Sequence, residues 1–244
     1  GINSLFQSSP RKSDGHEKWA DFTLKFWHCE SVTNVSQKSF AERYQRWCKK
    51  SGYNYSATKA QTIYSFAAEI ISTLPKIDAV RQLIINAIAQ LNTITETLSA
   101  TQREMLRLAS QLPECPVIMQ MFGVGETLGP QLIAEIGDVR RFERKQSLGA
   151  FAGVDAPPYQ SRTFEAKKRN ISKRGSPFLR KTLFQIMKTY LQHAPVNEPM
   201  YQFLDRKRSE GKNYYVYMMA GANKFLRIYY GTVMAYLKQL DSAS

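Results

Sequence analysis

Residues 77 to 108 read IDAVRQLIINAIAQLNTITETLSATQREMLRL, and this stretch decides the fold class. Apolar residues recur every seven positions as Ile77, Ile84, Leu91, Leu98 and Met105. A second series, offset by three, runs Val80, Ala87, Ile94, Thr101 and Leu108, with Thr101 its one polar member. No Pro or Gly interrupts the run. This spacing predicts a long helix of roughly 50 Å at ~1.5 Å per residue, able to pair as a coiled coil. A helix packed along its own domain usually carries a broader apolar stripe, so the narrow seam favours a partner helix, from a second copy or another chain.

Outward from that helix the pattern stays helical. Upstream, Phe40, Tyr44 and Trp47 fall on one face of SFAERYQRWCKK from Ser36, which Ser51-Gly52 stops. A second helix is expected from Ala57 to Ser72, and residues 1–35, with weak periodicity and mixed Ser, Lys and aromatic content, read as irregular. Downstream, Pro113 must end the long helix. Residues 116–137, PVIMQMFGVGETLGPQLIAEIG, have the form of a helix-hairpin-helix about Gly123-Val124-Gly125. Gly123 and Gly125 would let the backbone approach a phosphate, with the next helix's N-terminal amides aimed at it. A plain helical hairpin has the same glycines. Ser147 is expected to cap a short helix, and further helices are expected at Pro177–Gln192 and at 200–209. The last segment is helical and aromatic-rich, interrupted by Gly221 and Gly231. Its aromatic stripe reads as core more than as a platform for nucleobases. Lys224 and Arg227, three apart, extend a basic face. The chain is therefore expected to be mainly α: an irregular segment at 1–35, a helical linker and coiled coil at 36–112, and a helical domain at 113–240.

The chain has 244 residues, 43% of them hydrophobic, which is enough for one or two cored domains. A net charge of +14 and a pI near 9.7 set up a field attractive to polyanions, of which nucleic acid is the commonest. A membrane surface would require a basic amphipathic helix or a lipidation signal, and neither is evident. No apolar run approaches a membrane span, and the first fifteen residues lack the apolar core of a signal peptide. Cys29, Cys48 and Cys115 have neither metal-type nor redox-type spacing, and His16, His28 and His193 are scattered, so no metal site is expected. A reducing cytoplasm fits this usage.

Residues 149–181, GAFAGVDAPPYQSRTFEAKKRNISKRGSPFLRK, concentrate the candidate chemistry. Pro157 and Pro158 break regular structure, and a lone hydroxyl, Ser161, follows. From Arg162 to Lys181 eight cations (Arg162, Lys167, Lys168, Arg169, Lys173, Arg174, Arg180 and Lys181) face one acid, Glu165, a net +7 and half of the chain's total. A serine on a turn beside such a field is suited to meeting a phosphate. Turn serines and solvated charge runs have the same composition. Ser176-Pro177 has the form of a helix cap followed by proline at the first helical position.

Four ordered blocks resemble the insertion-sequence transposases of the IS one-ten class, in their C-terminal transposase domain: MFGVGETLGPQLIAEIGDVRRF at 121–142, LGAFAGVDAPPYQS at 148–161, ISKRGSPFLRKTLFQIM at 171–187 and DRKRSEGKNYYVYMMAGANKFLRIYYG at 205–231. Residues 36–112 are similar to that family's linker and coiled coil. The resemblance implies a DNA recombinase that cuts and rejoins strands through a serine nucleophile, with an element-encoded guide RNA. It also implies an N-terminal ribonuclease-H-like domain whose acidic residues bind a divalent metal, Mg. The family's Gln-Ser-Gly serine corresponds to Ser161. Ser172 and Ser176 are the rival hydroxyls and read as structural. Arg162 replaces the family glycine. Residues 1–35 are too few for the acidic domain's sheet, so the chain is expected to be a fragment, a truncated element or an isolated domain, inactive alone and without a cofactor of its own.

The expected function is thus DNA transposition through Ser161, with Gly123, Gly125 and the cations of 162–181 contacting nucleic acid. The alternative is a catalytically incomplete fragment that binds nucleic acid and oligomerises. Partners implied are DNA, a guide RNA and a second or further copies (dimer or tetramer) through residues 77–108, in a bacterial or archaeal cytoplasm close to the nucleoid.

Overall fold

The structure, a computed structural model, describes residue 6 and residues 17–156, 160–161, 164–165 and 171–243. Among these the chain is mainly α: eleven helices and one pair of two-residue strands. It divides into two compact units, Gly1–Ala100 and Thr101–Ser244.

The first unit is built on aromatic packing. Helices α1 (Lys18–Lys25), α2 (Glu30–Thr33), α3 (Gln37–Lys50) and α4 (Ala57–Glu69) surround Phe22, Phe26, Phe40 and Tyr44, all buried. Ser36 and Ser56 cap α3 and α4, each hydroxyl accepting from the amide three residues on. Trp47 meets Phe22 edge-on at 5.8 Å and stacks near Tyr44 at 5.7 Å. The ammonium of Lys18 is buried beneath the Tyr44 and Tyr53 rings and donates to the Asn54 carbonyl at 2.6 Å. Burial lowers its pKa. Residues 18–33, which the sequence reading takes as irregular, thus hold two helices. Helices of eight and four residues do not persist alone; the aromatic core holds them, and Trp19, Phe22 and Phe26 already stand at helical spacing.

Helix α5 (Asp78–Ala109) is the long helix that the heptads predict, 32 residues or about 48 Å at ~1.5 Å per residue. Its seam is not uniformly covered. Val80 is buried and Ile84 and Leu91 half-buried, whereas Ile94 is 65% exposed, Leu98 55% and Leu108 50%; Ile88, beside the seam and in neither series, is buried. The apolar arc is therefore wider than one a/d seam, with one flank covered and the other open to solvent.

The second unit packs α6 (Cys115–Met119), α7 (Gly125–Ile136), α8 (Lys145–Ala152), α9 (Pro177–His193), α10 (Pro199–Ser209) and α11 (Tyr214–Ala243) around one core. Leu132, Ile136, Leu148, Leu183, Ile186 and Met218 are fully buried there; such side chains contribute ~1.5–3 kcal/mol each. The 3-10 turn Val139–Arg141, capped by the Asp138 carboxylate, links α7 to α8. Arg144 precedes α8, so Ser147 lies inside that helix and does not cap it. Helix α11 runs unbroken through Gly221 and Gly231. A Cβ on Gly221 would come within 2.5 Å of Leu204 Cδ2 and 2.8 Å of Met187 Sδ, so this glycine lets α9 and α10 approach α11 closely.

Candidate nucleic-acid interface

The site begins where α8 ends. Gly153, left-handed at φ +65°, caps α8, and the chain from 151 to 155 is laced to the segment 172–176. Ser172 N donates to Asp155 O at 2.9 Å, Lys173 N to Gly153 O at 3.1 Å and Ser176 N to Phe151 O at 2.9 Å. The Ser172 hydroxyl adds a bond to Asp155 Oδ1 at 2.6 Å. Arg180 Nη1 ties the same neck by donating to Ala152 O (3.1 Å) and Gly175 O (2.9 Å), and Asn223 Nδ2 reaches Val154 O at 3.3 Å. The lacing needs close backbone approach, and glycines stand at both contacts. A Cβ at Gly153 would lie 2.8 Å from Gly175 N, and one at Gly175 only 1.8 Å from Phe151 O.

This neck carries Ser161. Strand β1 (Gln160–Ser161) pairs antiparallel with β2 (Phe164–Glu165), placing Ser161 opposite Phe164. Arg162, Lys167, Lys168 and Arg169 lie outside the described residues. The rival hydroxyls are engaged in the neck and at its exit. Ser176 caps α9 by accepting from Leu179 N at 3.1 Å and donates to Glu135 Oε2 at 2.7 Å, as its sequence context implies. Ser172 donates to the Asp155 carboxylate.

A cleft of about 1230 Å³ opens against this neck, between α9, α10 and α11. Ala156 and Ile171, which flank the Ser161-bearing segment, both line it. Lys173, Arg180 and Lys181 contribute cations from one side and Lys224 and Arg227 from α11, and among the described residues no carboxylate lines it. Burial lowers the pKa of Lys224, with Arg206 adding to the effect, and its ammonium sits 4.6 Å from the Phe203 ring centroid. Of the predicted cations, Arg174 is exposed and does not line the cleft. Lys224 and Arg227 belong with the site residues, and their three-residue spacing on α11 was the signal. Phe184, Phe203 and Tyr215 also line the cleft. The aromatic stripe of α11 thus divides: Tyr217, Phe225 and Tyr229 are core, while Tyr215 is 67% exposed.

The glycine hairpin between α6 and α7 has two different ends. A Cβ on Gly123 (φ +80°) would contact Ile186 and Tyr190 of α9, so its close approach is to this unit's own helix. Gly125 (φ +57°) faces open space at the start of α7. Among the described residues no group of three or more His, Cys, Asp and Glu is placed to hold a metal ion. Among the described residues, no helix is long and apolar enough to cross a membrane.

Residues 115–202, from the start of α6 into α10, match the family model "Transposase IS116/IS110/IS902 family". The likeness to that family lies in this segment of the chain. The matched segment contains the glycine hairpin, the neck, Ser161 and α9. The chain is also similar to the transposase for insertion sequence element IS1111A of Coxiella burnetii, 26% identical over 52% of the chain and 34% of that protein. It is similar, too, to "Putative transposase y4rJ" of Sinorhizobium fredii, 30% identical over 41% of the chain and 25% of that protein. The match thus spans about a third or less of these curated relatives.

Proposed function

We propose that this chain is the strand-exchanging portion of a DNA transposase, with Ser161 as its nucleophile. The observation that carries the reading is the cation-lined cleft at the root of the Ser161 segment, one wall of which, with Lys173, Arg180 and Lys181, comes from the matched segment 115–202. In this reading a DNA phosphate lies in the cleft. The serine oxygen attacks phosphorus, its proton passes to a base, and the bond to one deoxyribose oxygen breaks, leaving that oxygen as a hydroxyl. The phosphoserine ester retains the bond energy for rejoining. Serine is a weak nucleophile and requires activation. Arg180, held by two carbonyls, and Lys173 and Lys181 are fixed or flanking charges suited to the phosphorane. The base, the divalent metal and the guide RNA belong to the acidic domain and assembly that the family resemblance implies. Assembly through α5 is part of the same proposal, supported by its open flank at Ile94, Leu98 and Leu108.

A second reading has its own observation. The Ser172 hydroxyl lies 2.6 Å from the Asp155 carboxylate, the separation of a nucleophile and its base. The deciding experiment uses the intact transposase carrying this domain, its RNA and Mg, with end-labelled DNA. Ser161→Ala should abolish the denaturant-resistant DNA adduct while binding stays near normal, and Ser172→Ala should retain the adduct. The opposite pattern would move the nucleophile to Ser172. No adduct with any serine intact would leave a binding scaffold.

A further inference from the structure

We propose that the cleft between α9, α10 and α11 takes an unpaired stretch of nucleic acid, with a base stacked on Tyr215 and flanking phosphates held by the cations around it. The proposal rests on the reading of the cleft as a nucleic-acid site and deepens it by naming the strand state. Charge settles the polyanion: among the described residues, none of Lys173, Arg180, Lys181, Lys224 and Arg227 is ion-paired, and no carboxylate shares their walls. Some cations elsewhere in this unit are neutralised by neighbours, as Arg208 is by Asp205 at 2.5 Å and Lys207 by Glu210 at 2.7 Å.

The aromatics decide for an unpaired strand. Tyr215, on the first turn of α11, stacks on Phe184 at 6.1 Å with the rings 23° apart, while Tyr214 meets it edge-on at 5.3 Å. Two neighbours thus brace the ring of a residue that remains 67% exposed. Such a ring is a cost in water unless a flat partner covers it, and a base in duplex has both faces already stacked. A base free of its partner strand covers an aromatic face regardless of sequence, while the cations track its backbone. Phe203 beneath Lys224 sets a second ring in the same cleft. A duplex would offer phosphates alone and leave Tyr215 bare.

The test uses the full chain and fluorescein-labelled 12-nucleotide probes: oligo-dT, oligo-rU, and a blunt hairpin duplex of equal phosphate number, in anisotropy titrations at fixed low salt. Tyr215→Ala, an exposed position, should weaken oligo-dT or oligo-rU binding by about tenfold, the effect of one lost stacked base, and leave the duplex unchanged. Tyr215→Phe should restore wild-type affinity. Lys181→Ala should weaken single strand and duplex alike. Whichever of oligo-dT and oligo-rU responds more to Tyr215→Ala identifies DNA or RNA as the source. If Tyr215→Ala changes no probe, or all probes equally, the stacking site is refuted while the polyanion reading stands. If no probe binds at low salt, both fall.

Discussion

Gly175→Ala tests the neck that carries Ser161. An ideal Cβ at Gly175 would lie 1.8 Å from the Phe151 carbonyl oxygen, 2.5 Å from its carbon and 2.6 Å from Gly153 N. All three are backbone atoms, so no side-chain rotation relieves the contact, and the 172–176 segment must move off α8. The φ of Gly175 is not positive, so the cost is the contact and not backbone strain. Overpacking of this kind costs ~1–3 kcal/mol. The bonds Ser176 N to Phe151 O and Lys173 N to Gly153 O lengthen with it, at ~1 kcal/mol each. A smaller unfolded-state entropy offsets about 0.5 kcal/mol. The net is roughly 3–4 kcal/mol, or ~1.5–2 M in urea midpoint at about 2 kcal/mol per molar. The molecule supplies its own control, because Trp19, Trp27 and Trp47 all lie in the first unit. Tryptophan fluorescence then follows that unit alone, while far-UV circular dichroism follows both. Gly175→Ala should pull the dichroism transition of the second unit down and leave the fluorescence transition in place. Gly231→Ala, inside α11 with nothing within 4 Å of its Cβ, should raise the same transition by up to ~1 kcal/mol. A Gly175→Ala midpoint equal to wild type, or a fluorescence shift as large as the dichroism shift, refutes the reasoning.

Three further outcomes are expected. Ser176→Ala removes the acceptor for Leu179 N and the donor to Glu135, and should cost about 1–2 kcal/mol in the second unit's urea transition; an unchanged midpoint contradicts the cap. With Ellman's reagent at pH 8, the half-buried Cys29 should react in the folded chain, and Cys48 and Cys115 only after unfolding. Burial, aided by Glu114, also holds the Cys115 thiol above its ordinary pKa, and three fast thiols would overturn that assignment. Leu98→Glu places a charge on the open flank of α5; light scattering should show it converting an oligomer to monomer while melting stays within about 0.5 kcal/mol, and a wild-type monomer at micromolar concentration rules out self-pairing there.

Local signals in the sequence carried the elements whose cause is local. Ser36 and Ser176 cap because a hydroxyl three residues before a free amide needs nothing from the rest of the chain. The period of 77–108 made α5 because the backbone bonds of a helix close within four residues. The motif blocks at 121–142, 148–161 and 171–187 likewise carry the transposase likeness, and they fall within the matched residues 115–202. What the tertiary structure decided depends on distant partners. Helices α1 and α2 persist because aromatic rings from α3 cover them, since helices of eight and four residues do not hold by themselves. Gly221 does not interrupt α11, because the space it vacates is filled by Leu204 and Met187. Gly123, legible as a phosphate-binding glycine, instead faces α9 across a separation of more than sixty residues in the chain. Tyr215 and Tyr217, two apart in one aromatic run, went to the cleft and to the core respectively. No pattern within a helix distinguishes such a pair, because what covers each ring is set by side chains brought from α9 and α10, and that burial is decided only when the chain closes on itself.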